Sequence, residues 1–180
     1  MGRDKTEVLT NFLRATCPET KVSVLKARCQ EQTLARLVPA QAEGQPTHSD
    51  LVLDAIDSVT DKVALLAWCH THGIPVIASM GAAGKRDVSL VRTGDLSATS
   101  VCPLAREIRH QLRRQGISAG IPCIWSLEEF QGAAADPVPA PDETQPTGRR
   151  VLASQMSVPG VFGYGLAGLA LDMIASGDLA

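Results

Sequence analysis

Two short segments of this 180-residue chain place charged side chains and flexible backbone where a reaction could be run. The first is Leu51-Val52-Leu53-Asp54-Ala55-Ile56-Asp57-Ser58, an apolar run that ends in two carboxylates and a hydroxyl. The second is Ser79-Met80-Gly81-Ala82-Ala83-Gly84-Lys85-Arg86-Asp87, which leaves an apolar run through small residues and exits on a basic pair. Each reads as a strand end opening into a turn. Side by side in a parallel sheet, they bring backbone amides, a Lys, an Arg and an Asp to the carboxyl edge, where open α/β sheets bind nucleotides. Plainer readings stand beside this one. Asp57 and Ser58 are both good helix caps, and Gly81 and Gly84 suit an ordinary tight turn.

A basic stretch follows. Residues 85–114 hold seven Lys and Arg against three acids, in a chain of net charge −2. Arg106, Arg109 and Arg113 recur at helical spacings of three and four, partly opposite Leu104, Ile108 and Leu112. Such a stripe can grip RNA phosphates, and it can equally be a solvated helix face.

The elements that must carry these residues follow from periodicity. A helix is expected over 4–16, with Val8, Phe12 and Ala15 on one face and Pro18 stopping it. A short strand is expected at 21–25, a short helix at 30–37 and a polar loop at 39–49. Residues 51–56 form the clearest strand. Ser58 caps the next helix, with Asp61 in the capping-box position, and that helix runs to about His72, before Gly73. A strand at 74–78 completes a β-α-β unit, which implies parallel pairing and a right-handed crossover. An extended segment at 88–93, a helix at 103–115 and a strand at 121–126 follow. Residues 131–148, rich in Pro, Ala and acids, read as a mobile loop. No internal repeat is present.

Composition agrees with one domain. The chain is 44% hydrophobic but only 3% aromatic, so its core must rest on Val, Leu, Ile and Ala, as parallel sheets often do. The small net charge argues against a general nucleic-acid coat. None of the five cysteines forms a C-x-x-C pair, so a zinc knuckle is not expected. Their odd number, without a leader, suits reduced intracellular thiols. Cys69 and Cys123 fall inside a helix and a strand and are expected in the core. Cys102, in a loop before Pro103, is the one candidate reactive thiol. His70 and His72 are expected to meet the carbonyl end of their helix rather than a metal. No uninterrupted apolar run reaches the length of a membrane span. Residues 158–174 come closest, but contain Pro159, four glycines and Asp172, and read as a buried helix preceded by a glycine-rich turn.

The chain resembles the tRNA threonylcarbamoyladenosine dehydratases, a branch of the ThiF-like and ubiquitin-activating superfamily of adenylating enzymes. The resemblance rests on order and spacing through nearly the whole chain. It covers Gly2 to Val8, the Asp54/Asp57 strand, Ser79 to Asp87, Gly94-Asp95-Leu96-Ser97, Pro103-Leu104-Ala105, Leu112 to Ile117 and the glycine-rich helix near Phe162-Gly163. At the family's Asp-Pro-Leu the chain has Cys102-Pro103-Leu104. The resemblance implies a Rossmann-like, mostly parallel sheet with helices on both faces, as a single domain over 1–180. It implies ATP and Mg²⁺ as cofactors. Lys5 would reach the phosphates, Asp57 would hold the metal and act with Lys5 in catalysis, and Ser58 would join them in the nucleotide site. It implies tRNA as substrate, which assigns Lys85, Arg86, Arg106, Arg109 and Arg113 to RNA contacts. A homodimer is the family pattern, and the compartment expected is intracellular, the cytoplasm or the mitochondrial surface.

The implied reaction adenylates the threonylcarbamoyl carboxylate and expels AMP as a ring closes. A magnesium ion needs only one or two carboxylates beside phosphate oxygens, so one Asp suffices. Asp54 would serve instead in a buried salt bridge or backbone bond. One family feature is missing: no GxGGxG turn occurs, so the chain reads as the latter part of an adenylating enzyme. The alternatives are activation of a ubiquitin-like or sulfur-carrier protein, and a non-catalytic fragment or subunit whose glycine-rich half lies on a separate chain.

Overall fold

A computed structural model describes residues 2–40, 48–129 and 155–177. Residues 131–148, expected as a mobile loop, lie outside them, as do 41–47 of the polar loop.

The sheet has four strands: β1 (Val52–Asp54), β2 (Val76–Ser79), β3 (Val91–Asp95) and β4 (Pro122–Ser126), in the order β1-β2-β4-β3. β1 pairs with β2, and β2 with β4, in parallel. β3 runs antiparallel along β4, with Val91 opposite Ser126 and Asp95 opposite Pro122. β2 and β4 are the inner strands. Val76, Ile77 and Ala78 are all buried, as are Cys123, Ile124 and Trp125, because both faces of these strands are covered.

Among the described residues five helices accompany the sheet: α1 (Lys5–Thr16), α2 (Glu31–Leu37), α3 (Val59–Thr71), α4 (Pro103–Arg113) and α5 (Ser157–Ser176). α3 starts where the Ser58 hydroxyl accepts from the Asp61 amide at 3.5 Å, and stops before Gly73 at φ +64°. It crosses from β1 to β2 and buries Leu65, Leu66 and Cys69. α4 has Pro at its first position, where no amide donor is needed, and buries Ala105, Ile108 and Leu112 at spacings of three and four. These helices and α2 fill one face of the sheet with a core that includes Leu34, Leu66, Ile108 and Trp125. Each fully buried Leu or Ile contributes about 1.5–3 kcal/mol.

α5 covers the other face. Val158, Phe162, Leu166 and Ala170 meet Ile77 and Ile124. A Cβ at Gly165 would lie 2.3 Å from the Ile124 Cδ1, so glycine there lets the helix settle on the strand. The α/β architecture, with a mostly parallel sheet and helices on both faces, is as expected from the sequence.

Four local expectations change. Residues 21–25 form no strand, since no strand lies beside them to bond. In α1 the apolar face is not buried: Val8 and Phe12 are 48% and 60% exposed, and Thr10 is the buried residue. The segment at 88–93 splits into a 3-10 turn at Val88–Leu90, capped by Asp87, and the first half of β3. α5 is buried along one face only, and its glycines lie within the helix rather than in a turn before it. It is long and apolar enough to cross a membrane by length and composition, and here it packs on the sheet.

Candidate functional site at the carboxyl edge

β1, β2 and β4 all end at the same edge. β1 closes on Asp54, whose side chain turns inward and is 1% exposed. One oxygen, Oδ1, accepts from the Ile56 amide at 2.9 Å, and Oδ2 meets the Lys62 ammonium at 2.5 Å. Lys62 comes from the second turn of α3 and has no exposed side-chain surface. Its Nζ also donates to the Ser79 carbonyl, at the end of β2, at 2.9 Å. Burial pushes the Asp54 carboxyl up and the Lys62 ammonium down, and their mutual attraction only partly offsets this. Asp54 thus takes both roles expected of it, the salt bridge and the backbone bond.

Three residues further on, Asp57 is exposed on the turn between β1 and α3. Ser58, half-buried, spends its hydroxyl on the helix cap. Asp61 is buried and accepts from the Arg28 Nε at 2.9 Å.

The second loop leaves β2 with the Met80 amide donating to the Ile124 carbonyl at 2.8 Å. Of its two glycines only Gly84, at φ +72°, adopts the left-handed conformation that favours glycine. A Cβ at Gly81 would make ordinary contact with Leu104 and Cys102 at the start of α4, at 3.6 and 3.7 Å.

Lys85 was expected to face RNA. The structure turns it inward: it is 2% exposed, and its Nζ donates to the Ser126 and Glu128 carbonyls at 3.4 and 2.5 Å. In this position its ammonium satisfies the end of β4 and is not presented to a ligand. Arg86 and Asp87 follow on the surface, and their amides donate to the Glu128 carboxylate at 2.7 and 2.9 Å. These two bonds hold the Glu128 carboxyl below its usual range.

On α4, Arg106 and Arg113 are exposed. Arg109 is half-buried, and its Nη1 donates to the Thr99 carbonyl at 2.6 Å and to the Thr99 hydroxyl. With Glu107 and His110 the three arginines line a depression of about 360 Å³. Lys5 is exposed on the first turn of α1, and no hydrogen bond or ion pair among the described residues ties it to the Asp57 turn. The edge therefore brings together the Asp57 turn and the 80–87 loop. The α4 stripe begins beside that loop, through the packing of Gly81 near Cys102 and Leu104.

The cysteines carry no reactive thiol at this edge. Cys102, the loop candidate, is 2% exposed, and its Sγ lies beside Gly81 of the 80–87 loop. Cys69 and Cys123 are in the core, and burial pushes both thiols up to about 12. His72 places its Nδ1 2.8 Å from the Trp68 carbonyl, as expected at a helix end. Among the described residues no group of three or more His, Cys, Asp or Glu is arranged to hold a metal. A lone Asp57 remains chemically suited to magnesium bound mostly by phosphate oxygens.

Lys62 and Glu128 escaped the sequence reading. Lys62 left a trace: with Leu66 and Cys69 it makes an i, i+4, i+7 stripe on α3. Glu128 left none.

Comparison with known proteins meets this geometry. The chain is 32% identical over 191 residues to "tRNA threonylcarbamoyladenosine dehydratase 2" of Saccharomyces cerevisiae, covering 99% of this chain and 42% of that one. It is 32% identical over 128 residues to the tRNA threonylcarbamoyladenosine dehydratase of Bacillus subtilis, covering 71% of this chain and 48% of that one. The chain thus spans less than half the length of these relatives. Its fold superposes on E. coli tRNA N6-threonylcarbamoyladenosine dehydratase, TcdA, in complex with AMP, with a TM-score of 0.80 and 26% identity, over 100% of this chain and 68% of that one. The ATP complex of TcdA matches 72% of this chain and 54% of its own, with a TM-score of 0.62 and 30% identity. The model of the ThiF family matches residues 1–177. With that match running through nearly its whole length, the chain belongs to the ThiF family.

Proposed function

We propose that this chain works as part of an ATP-dependent dehydratase that cyclises threonylcarbamoyladenosine in tRNA. The observation that carries the reading is the exposed Asp57 at the carboxyl edge of a ThiF-family sheet, beside the anchored 80–87 loop. The likeness to dehydratases and to a TcdA that binds AMP and ATP supports it.

In this reading the substrate carboxylate attacks the α-phosphorus of ATP, and the bond to pyrophosphate breaks. A nitrogen already in the substrate then attacks the activated carbonyl, a ring closes and AMP leaves with the carboxylate oxygen. ATP becomes AMP and pyrophosphate, and the nucleoside loses the elements of water. No enzyme nucleophile is needed, which fits an edge without an exposed thiol and disfavours transfer to a carrier protein through Cys102. Proximity of the two reacting groups supplies much of the rate. A bound magnesium ion would neutralise phosphate charge, and Asp57, exposed on its turn, would hold it. Lys5, exposed at the start of α1, would meet the phosphates, and Ser58 shapes the turn that carries Asp57 by capping α3. Residues 1–180 hold no GxGGxG turn, so the proposed reaction needs a phosphate loop joined to them.

Arg86, Arg106 and Arg113 would contact tRNA phosphates, with Arg109 held to Thr99. A homodimer belongs to the proposal. The outer face of α5, with Tyr164, Leu171 and Ile174 exposed, is an apolar surface available for it.

The test joins the chain to a family glycine-rich segment and supplies ATP, Mg²⁺ and tRNA bearing threonylcarbamoyladenosine. AMP release with loss of one water from the nucleoside is expected, and Asp57→Ala should abolish both. AMP formation undiminished in Asp57→Ala would remove Asp57 from the site, and cyclisation without AMP would overturn the reaction.

A further inference from the structure

We propose that Lys62 is a positioning residue for this site: its buried ammonium ties the exits of β1 and β2 together and sets the turn that carries Asp57. The inference rests on the proposed function for the meaning of Asp57, but its geometry stands on Lys62 itself.

The connection runs through atoms already described. The Ser79 carbonyl, the last of β2, accepts from the Lys62 Nζ at 2.9 Å. The same Nζ meets the Asp54 Oδ2 at 2.5 Å, and the Asp54 Oδ1 takes the Ile56 amide at 2.9 Å. Ile56 directly precedes Asp57. One ammonium thus bridges the starting points of both loops that form the candidate site. The Asp57 carboxylate is near enough to act on the Lys62 charge. Desolvating an ion pair is expensive, and packed apolar residues of similar volume often serve stability as well or better. Stability alone therefore gives a weak account of a lysine with no exposed side-chain surface. Fixing polar geometry at two strand exits accounts for it directly.

The experiment measures amide hydrogen exchange by NMR on the ¹⁵N-labelled 180-residue chain, then line broadening on addition of Mn²⁺ alone. The main variant is Asp54→Asn/Lys62→Met, which removes the ion pair while leaving no unpaired buried charge. Losing hydrogen bonds to a charged group should speed exchange about tenfold at residues 55–58 and 80–84. Amides within α3 and β4 should keep their wild-type rates. Broadening by Mn²⁺ around Asp57 should weaken in this variant and vanish in Asp57→Asn.

Wild-type exchange at both loops would overturn the proposal, and so would uniform acceleration across the chain, the signature of a purely structural role. If the double variant does not fold, Asp54→Asn/Lys62→Gln decides. It also leaves no buried charge and replaces the ion pair with a neutral amide pair, so faster exchange confined to 55–58 and 80–84 supports the proposal and wild-type exchange at both loops overturns it. Absence of Mn²⁺ broadening in the wild type, with the exchange difference intact, would support Lys62 as the anchor of its turn and show that Asp57 binds no metal without phosphate oxygens.

Discussion

Lys62 and Lys85 carry the same charge as Arg106 and Arg113, in opposite surroundings. The two lysines sit beneath the carboxyl edge, where they bond the last carbonyls of β2 and β4. The two arginines stand on the surface of α4. A buried ammonium bonded to carbonyls has no solvent path to a ligand. An exposed guanidinium is free to meet phosphate and is screened by salt. The density of positive charge along residues 85–114 therefore overstates the binding surface. Lys85 is spent on the fold, and Arg109 is largely committed to Thr99.

The sharpest way to break this contrast is to remove the buried cations. Lys62→Met leaves Asp54 buried without its partner and should cost about 3–5 kcal/mol of stability. Lys85→Met strands carbonyl acceptors but no carboxylate, and should cost about 1–3 kcal/mol. Arg106→Ala and Arg113→Ala should each stay within about 0.5 kcal/mol of wild type, as surface changes do. Urea unfolding of the four variants checks the order. A Lys62→Met variant as stable as Arg106→Ala would erase the distinction.

How far the sequence reveals this division depends on the range of the contacts. β1, β2 and β4 are legible because each is a short, mostly apolar run, and the α3 and α4 boundaries because Ser58, Gly73 and Pro103 punctuate them. β3 is harder to read. Val91–Asp95 is an antiparallel edge strand with only partial burial, so its pattern is weak. Lys62 lies on a readable buried stripe, although lysine is rarely fully buried. The fate of Lys85 is invisible to local reading, because its acceptors are main-chain carbonyls 41 and 43 residues away. Cys102 misleads for a similar reason: its loop position suggests exposure, but its side chain is buried in the main core, beside Gly81.

A smaller effect sharpens the comparison from the acidic side. Asp95 accepts the Ser97, Gly120 and Ile121 amides. Burial pushes its carboxyl up, but the bonds from Ser97, Gly120 and Ile121 outweigh this and hold it below the ordinary 3.8. A carboxyl with a lowered folded pKa adds stability above the ordinary value and loses it as pH falls through the lower one. Acid unfolding of wild type should therefore include a component below pH 3.8 that Asp95→Asn lacks. Superimposable acid profiles would show that the Asp95 cap contributes nothing through its charge.

The most direct test of the account measures tRNA binding to the 180-residue chain across a salt series, by filter binding. Wild type, Arg106→Ala/Arg113→Ala and Lys85→Met are compared at a pH where all are folded. The exposed pair should set the electrostatics. The slope of log affinity against log salt should fall by roughly two in the double arginine variant, close to one for each lost phosphate contact. Lys85→Met should keep the wild-type slope. Equal slopes in all three proteins, or a slope that falls with Lys85→Met and not with the arginines, would contradict the separation of buried and exposed cations.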